Sequence, residues 1–167
     1  MDNVVLIGMP GAGKSTIGIV LAKSMGYKFI DSDILIQEKE GKLLHEIISL
    51  SGDEGFRKIE NSVNCSIDVT RTVIATGGSA VYGKEAMEHF KEIGTVVYLK
   101  HSYAEIEKRL GDLGKRGVTI KKGQTLEDLY NERTPLYERY ADIVINCNNK
   151  YIRSIVKEIK SKILAKK

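Results

Sequence analysis

Asn3-Val4-Val5-Leu6-Ile7-Gly8-Met9-Pro10-Gly11-Ala12-Gly13-Lys14-Ser15-Thr16 decides the fold. Asn3 to Ile7 is a β-branched, apolar run of strand length, and Gly8 to Ser15 fits G-x-x-x-x-G-K-[ST] in full. Ile17, Val20 and Leu21 then recur at helical spacing. Strand, glycine-rich turn and helix are the context that this motif needs. Its glycines let backbone N–H groups converge on phosphate oxygens, and the helix N-terminus adds a positive dipole. Lys14 is placed to bridge the outer phosphates and Ser15 to hold Mg²⁺ through its hydroxyl. The competing view, a tight turn that binds nothing, does not account for the whole motif with both flanks in place.

Working outward, four more short runs read as strands: Tyr27 to Ile30, Val73 to Thr76, Thr95 to Leu99 and Asp142 to Asn146. Between them lie helical patterns at Lys14–Met25, Ile34–Glu40, Leu43–Leu50, Asp53–Val69, Lys84–Ile93, Tyr103–Leu110, Leu126–Tyr140 and Tyr151–Leu164. This alternation predicts an α/β fold of three layers, with a five-stranded parallel sheet flanked by helices. At 167 residues one domain is expected, spanning 1–167, with one site in it. Gly111 to Gly123 contains four glycines between two helical patterns, a longer connection than packing needs, and is a candidate lid.

Composition removes several classes. No apolar run approaches the ~20 residues of a membrane span, and the first residues lack the basic and long apolar regions of a secretory signal. A cytoplasmic location with no membrane partner is expected. Cys65 and Cys147 form no C-x-x-C pair and signal neither zinc nor disulfides; both are expected buried or half-buried. The net charge of +4 draws on Lys157, Lys160, Lys162, Lys166 and Lys167, which fall opposite Ile152, Ile155, Val156, Ile159 and Ile163 on one helix. No aromatic and basic residues interleave as a stacking platform, so no nucleic-acid partner is expected. His45, His89 and His101 are scattered and expected at the surface.

The phosphate motif alone says that a nucleotide binds. The strand Val73–Ala75 ends in Thr76-Gly77-Gly78-Ser79 without a carboxylate to share the metal, which makes Asp31-Ser32-Asp33 the substitute. Carboxylates two positions apart need not point the same way, so one is free to face the metal and the other a substrate hydroxyl. Asp33 also qualifies as the N-cap of a helix starting at Ile34, and the two roles are compatible.

Taken in order, these motifs resemble those of the shikimate kinases, within the P-loop group that is similar to nucleoside-monophosphate kinases. The resemblance runs through the P-loop, Asp31-Ser32-Asp33, Gly52-Asp53-Glu54-Gly55-Phe56-Arg57-Lys58-Ile59-Glu60, Gly77-Gly78, Arg116 and Glu132-Arg133-Thr134-Pro135-Leu136-Tyr137. It implies ATP and Mg²⁺, with Gly11, Ala12, Gly13, Lys14, Ser15, Thr16 and Arg109 at the nucleotide and Arg109 against the adenine. Ser15 and Asp31 would place the metal. Asp33, Arg57, Gly77, Gly78 and Arg133 would bind the acceptor, with both arginines on its carboxylate and Glu60 orienting Arg57. Lys14, Asp33 and Arg116 would be catalytic. The implied reaction is phosphorylation of the shikimate 3-hydroxyl, by a monomer with strand order 2-3-1-4-5. Paired guanidinium donors suit a carboxylate better than lysine would.

Two departures fall near the acceptor. Ser79 replaces the third of the family's usual three glycines, and Arg116-Gly117-Val118-Thr119 replaces Arg-Pro-Leu-Leu. Two rivals therefore stay open: a diverged kinase for another small, gluconate-like hydroxy acid, and a nucleotide-binding regulatory module. A pure binder would need none of the acceptor-side residues.

Overall fold

The computed structural model describes residues 2–111 and 120–167. Five parallel strands, β1 (Asn3–Ile7), β2 (Lys28–Asp31), β3 (Thr72–Ala75), β4 (Gly94–Lys100) and β5 (Ile143–Asn146), form one sheet in the order β2-β3-β1-β4-β5. The central strand β1 is buried along its whole length, the burial that its apolar sequence requires. Edge strand β5 alternates buried and exposed residues instead.

Period-two alternation sends successive β1 side chains to opposite layers. Val4 and Leu6 pack with Ile17 and Leu21 of α1 (Lys14–Met25) and with Ile155 and Ile159 of α7 (Ile152–Ala165). Val5 and Ile7 pack with Met87 and Phe90 of α4 (Lys84–Ile93), Ile106 of α5 (Tyr103–Leu110) and Tyr137 of α6 (Leu126–Tyr140). A smaller cluster, Ile36, Ile47, Phe56 and Val63, joins α2 (Ser32–Glu40) to α3 (Leu44–Cys65) beside the sheet. Among the described residues, no helix is long and apolar enough to cross a membrane.

The break expected between the helices at 43–50 and 53–69 is present at Gly52, whose φ of 71° and ψ of 174° are not helical and favour glycine. Two differences from the expected elements matter for the site. The second half stops at Cys65, not Val69, because Ile67 and Val69 turn inward to pack on the core ahead of β3. Finally, α2 begins at Ser32, so its N-cap is Asp31 and not Asp33.

Candidate active site

The C-terminal ends of β1, β2 and β3 open onto a cleft of about 470 Å³, the usual location for ligands in an open parallel sheet. Gly8–Gly13 links β1 to α1 at one end. Gly8, Gly11 and Gly13 have φ of 151°, 78° and 88°, conformations that other residues rarely adopt, and these turn the chain back over the start of α1. Neighbouring side chains occupy the carbonyls of this loop. Arg109 donates to Gly11 O at 3.3 Å and Lys14 to Gly8 O and Met9 O at 2.7 and 2.8 Å. The His101 Nε2 lies 3.0 Å from Ala12 O. His101 is thus a buried support of the phosphate loop and not a surface residue. Nothing local in the sequence marks it, since the two partners are 89 residues apart in the chain and meet only because β1 and β4 are neighbours.

Lys14 is buried, and burial lowers its pKa to about 8 despite the attraction of Asp33. Across from it, burial raises Asp33 to about 6; the neighbouring charge of Asp31 pushes the same way and Lys14 opposes. The two aspartates have separate partners. Asp31 accepts from the Asp33 N–H at 2.9 Å through Oδ1 and from Ser15 Oγ at 2.7 Å through Oδ2. Because Asp31 performs the capping, the Asp33 carboxylate is left to face the cleft.

Glu60 on α3 is buried and lies beside Asp33, with Gly77 between them: a Cβ on Gly77 would stand 2.8 Å from both Asp33 Oδ1 and Glu60 Oε2. Gly78 is equally confined, by Pro10 Cδ at 2.7 Å and Arg133 Nη1 at 2.9 Å from its would-be Cβ. These glycines are needed for space, since neither has a positive φ. The resemblance implies that Glu60 orients Arg57; among the described residues the two form no ion pair. The hydrogen bond of Glu60 comes from Ser79 Oγ, 2.5 Å from Oε1. Burial raises Glu60 to about 7, and the Ser79 hydroxyl pulls it back by favouring the charged form.

Arg133 is almost fully buried and lines the cleft. Beside it, Tyr137 donates to Gly78 O at 2.6 Å and ties α6 to the glycine turn. Arg57 is half-buried and lies not on the cleft wall but over the ring of Tyr82, its Cζ 3.8 Å from the centroid. Tyr82 was not singled out in the sequence. No motif there contains it, and its partners come from distant segments. Arg109 lines the cleft and also a hollow of about 160 Å³ next to it, shared with His101, Lys150 and Ile152. Gly11, Gly13, Ser15 and Thr16 line the cleft as well, whereas Ala12 is turned to the hollow and the core. Arg116 and residues 112–119 of the expected lid lie outside the described residues.

The arrangement brings a phosphate cradle, a buried lysine, a carboxylate able to take a proton near neutral pH and a buried arginine into one cleft. Comparison with known proteins identifies the family. The sequence profile of the shikimate kinase family matches residues 10–164. A shikimate kinase of Francisella tularensis subsp. novicida is 40% identical over 161 residues, covering 94% of this chain and 92% of the relative. A solved shikimate kinase from Acinetobacter baumannii, in complex with shikimate, superimposes with a TM-score of 0.89 at 33% identity, covering 100% of this chain and 95% of the other. One from Aquifex aeolicus gives 0.82 at 29% identity, with 98% and 97% covered.

Proposed function

The chain belongs to the shikimate kinase family, and on that premise we propose that it transfers the γ-phosphoryl of ATP to the 3-hydroxyl of shikimate, yielding shikimate 3-phosphate and ADP. The observation that carries this is the placement of Asp33 and Arg133 in the same cleft as Lys14. A nucleotide binder without an acceptor would have no use for a desolvated carboxylate and a buried guanidinium there.

In this reading the phosphates lie on the backbone N–H groups of Gly11–Thr16, and the adenine lies against Arg109. Lys14 exchanges its bonds to Gly8 O and Met9 O for phosphate oxygens. Arg133 and Arg57 receive the acceptor carboxylate. Asp33 holds the attacking hydroxyl and takes its proton as the O–P bond forms. Its pKa near 6 suits that role: it is ionised at neutral pH yet basic enough to accept. Arg116, outside the described residues, would add positive charge at the transferring group, and residues 111–123 would serve as a lid.

Ser15 and Asp31 fit a magnesium ion: both offer hard oxygen donors, and they meet at one place, Ser15 Oγ donating to Asp31 Oδ2 at 2.7 Å. When bound, Mg²⁺ would neutralise charge on the β- and γ-phosphates. Ser15 and Asp31 keep their own oxygens directed to that point through the start of α1 and the cap of α2. The protein is proposed to act as a cytoplasmic monomer on small molecules, without nucleic-acid or membrane partners.

The test is ADP release by the purified protein with ATP and Mg²⁺, with and without shikimate. Strong dependence on shikimate is expected. Release driven by a gluconate-like acid in its place would favour the diverged kinase, and ATP binding with no release under any acceptor would favour the regulatory module.

A further inference from the structure

The two arginines assigned to the acceptor carboxylate share one aromatic ring. Tyr82 lies in the short 3-10 turn Ala80–Tyr82 that follows Gly77-Gly78-Ser79. Arg57 Cζ sits 3.8 Å from the ring centroid and Arg133 Cζ 5.5 Å from it, the first from α3 and the second from α6. The ring is anchored at its far end. Tyr82 Oη donates to Glu132 Oε1 at 2.7 Å, and Glu132 Oε2 accepts from Gln124 Nε2 at 2.8 Å. The ion pairs among the described residues include neither arginine.

Two like charges brought near each other in a partly buried site repel, and the long Arg57 side chain has many rotamers to explore. A ring face with negative quadrupole attracts both cations, and its flatness matches the guanidinium plane. We infer that Tyr82 is the positioning residue of the acceptor clamp, its ring holding Arg57 and Arg133 together before the acceptor carboxylate arrives. This rests on the assignment of both arginines to the acceptor. An ordered clamp spares the acceptor the cost of arranging it, so the gain appears as affinity for a carboxylate.

The experiment uses the full chain with shikimate and with the neutral carboxamide of shikimate. Turnover of shikimate by the unmodified protein is the control; its absence would overturn the assignment of function rather than the role of Tyr82. Tyr82→Leu is expected to raise KM for shikimate about tenfold, with kcat and KM for ATP within about twofold. Tyr82→Phe keeps the ring and should stay within about threefold of the parent. For the carboxamide, Tyr82→Leu and the parent should have equal KM. An unchanged KM for shikimate, or an equal rise for the carboxamide, would overturn the inference. So would a fall in KM, which would mean that the ring competes with the acceptor for Arg57. Should Tyr82→Leu not fold, ring-fluorinated phenylalanines at position 82 supply the same test at nearly constant shape. KM should climb with each added fluorine, and a flat series refutes the role.

Discussion

The phosphate end of the cleft comes from one contiguous stretch, Gly8–Ser15, whereas the acceptor end gathers Asp33 from α2, Glu60 from α3, Ser79 from the turn after β3 and Arg133 from α6. At the first, in the proposed function, backbone N–H groups and a helix terminus do most of the binding, and Lys14 is the one buried charge of the stretch. At the second, charged side chains are desolvated against one another: burial moves Asp33 and Glu60 upward together. The contrast teaches that substitutions at the two ends should separate cleanly, nucleotide handling on one side and acceptor handling on the other.

The sharpest break in that separation would come from Asp33→Asn. The variant keeps the shape and loses the proposed proton acceptor, so kcat should fall by about 10²–10⁴ while nucleotide binding, measured by calorimetry, is nearly unchanged. Loss of nucleotide affinity alongside activity would mean that the two ends are not independent. Lys14→Met should reduce kcat by ~10²-fold or more, because a charge facing the transferring group is removed, with the melting curve close to that of the parent. Near-normal turnover in folded protein would place the chemistry elsewhere.

Arg133→Ala probes the acceptor side alone. Charge-assisted hydrogen bonds of about 1.5–3 kcal/mol would be lost, lowering kcat/KM for shikimate by about 10- to 100-fold and leaving KM for ATP within twofold. Equal losses with the carboxamide would show that Arg133 serves the fold instead.

The pH profile should show both ends at once. In the proposed mechanism Asp33 acts as a carboxylate, so kcat/KM should fall as pH drops below about 6, and Lys14 acts as a cation, so it should fall above about 8. The loss is about tenfold one pH unit beyond either limb. Bound phosphates favour the charged lysine, so the alkaline limb of kcat should lie higher than that of kcat/KM for ATP. An alkaline limb that stays put would exclude Lys14 as its source.

The smallest expected effect is at Ser79. Ser79→Gly removes the hydroxyl that favours ionised Glu60 and raises the Glu60 pKa further. Near pH 7 to 8 the variant should then hold Glu60 more protonated, which takes a negative charge away from the acceptor carboxylate and lowers KM for shikimate by up to about fivefold, the worth of one such hydrogen bond. Below pH 6 the difference should vanish, since Glu60 is then protonated in both proteins. A difference that is constant from pH 5.5 to 8 would point to shape rather than charge.

What was legible in the sequence follows the same division. Strand β1, the glycine loop and helix α1 are neighbours in the chain, and their boundaries agree with those read from apolar run, motif and helical spacing. The α/β class followed from the alternation of elements, and the strand order came from family resemblance, because periodicity carries no information on which strands adjoin. Asp33 and Arg133 were found through motif order. Their burial and proximity were not, and neither was the transfer of the capping role to Asp31. The Ser79–Glu60 bond, the ring of Tyr82 beside two arginines and His101 under the phosphate loop depend on α3 and α6 being folded against the same end of the sheet and on β4 pairing with β1. The sequence by itself determined the conformation of the phosphate loop and the kinds of group available, because dihedral preference and side-chain chemistry act locally. Only the tertiary structure decided which carboxylate is buried, which hydroxyl it receives and which ring the arginines share, because desolvation and hydrogen bonding depend on what the fold brings within a few ångströms.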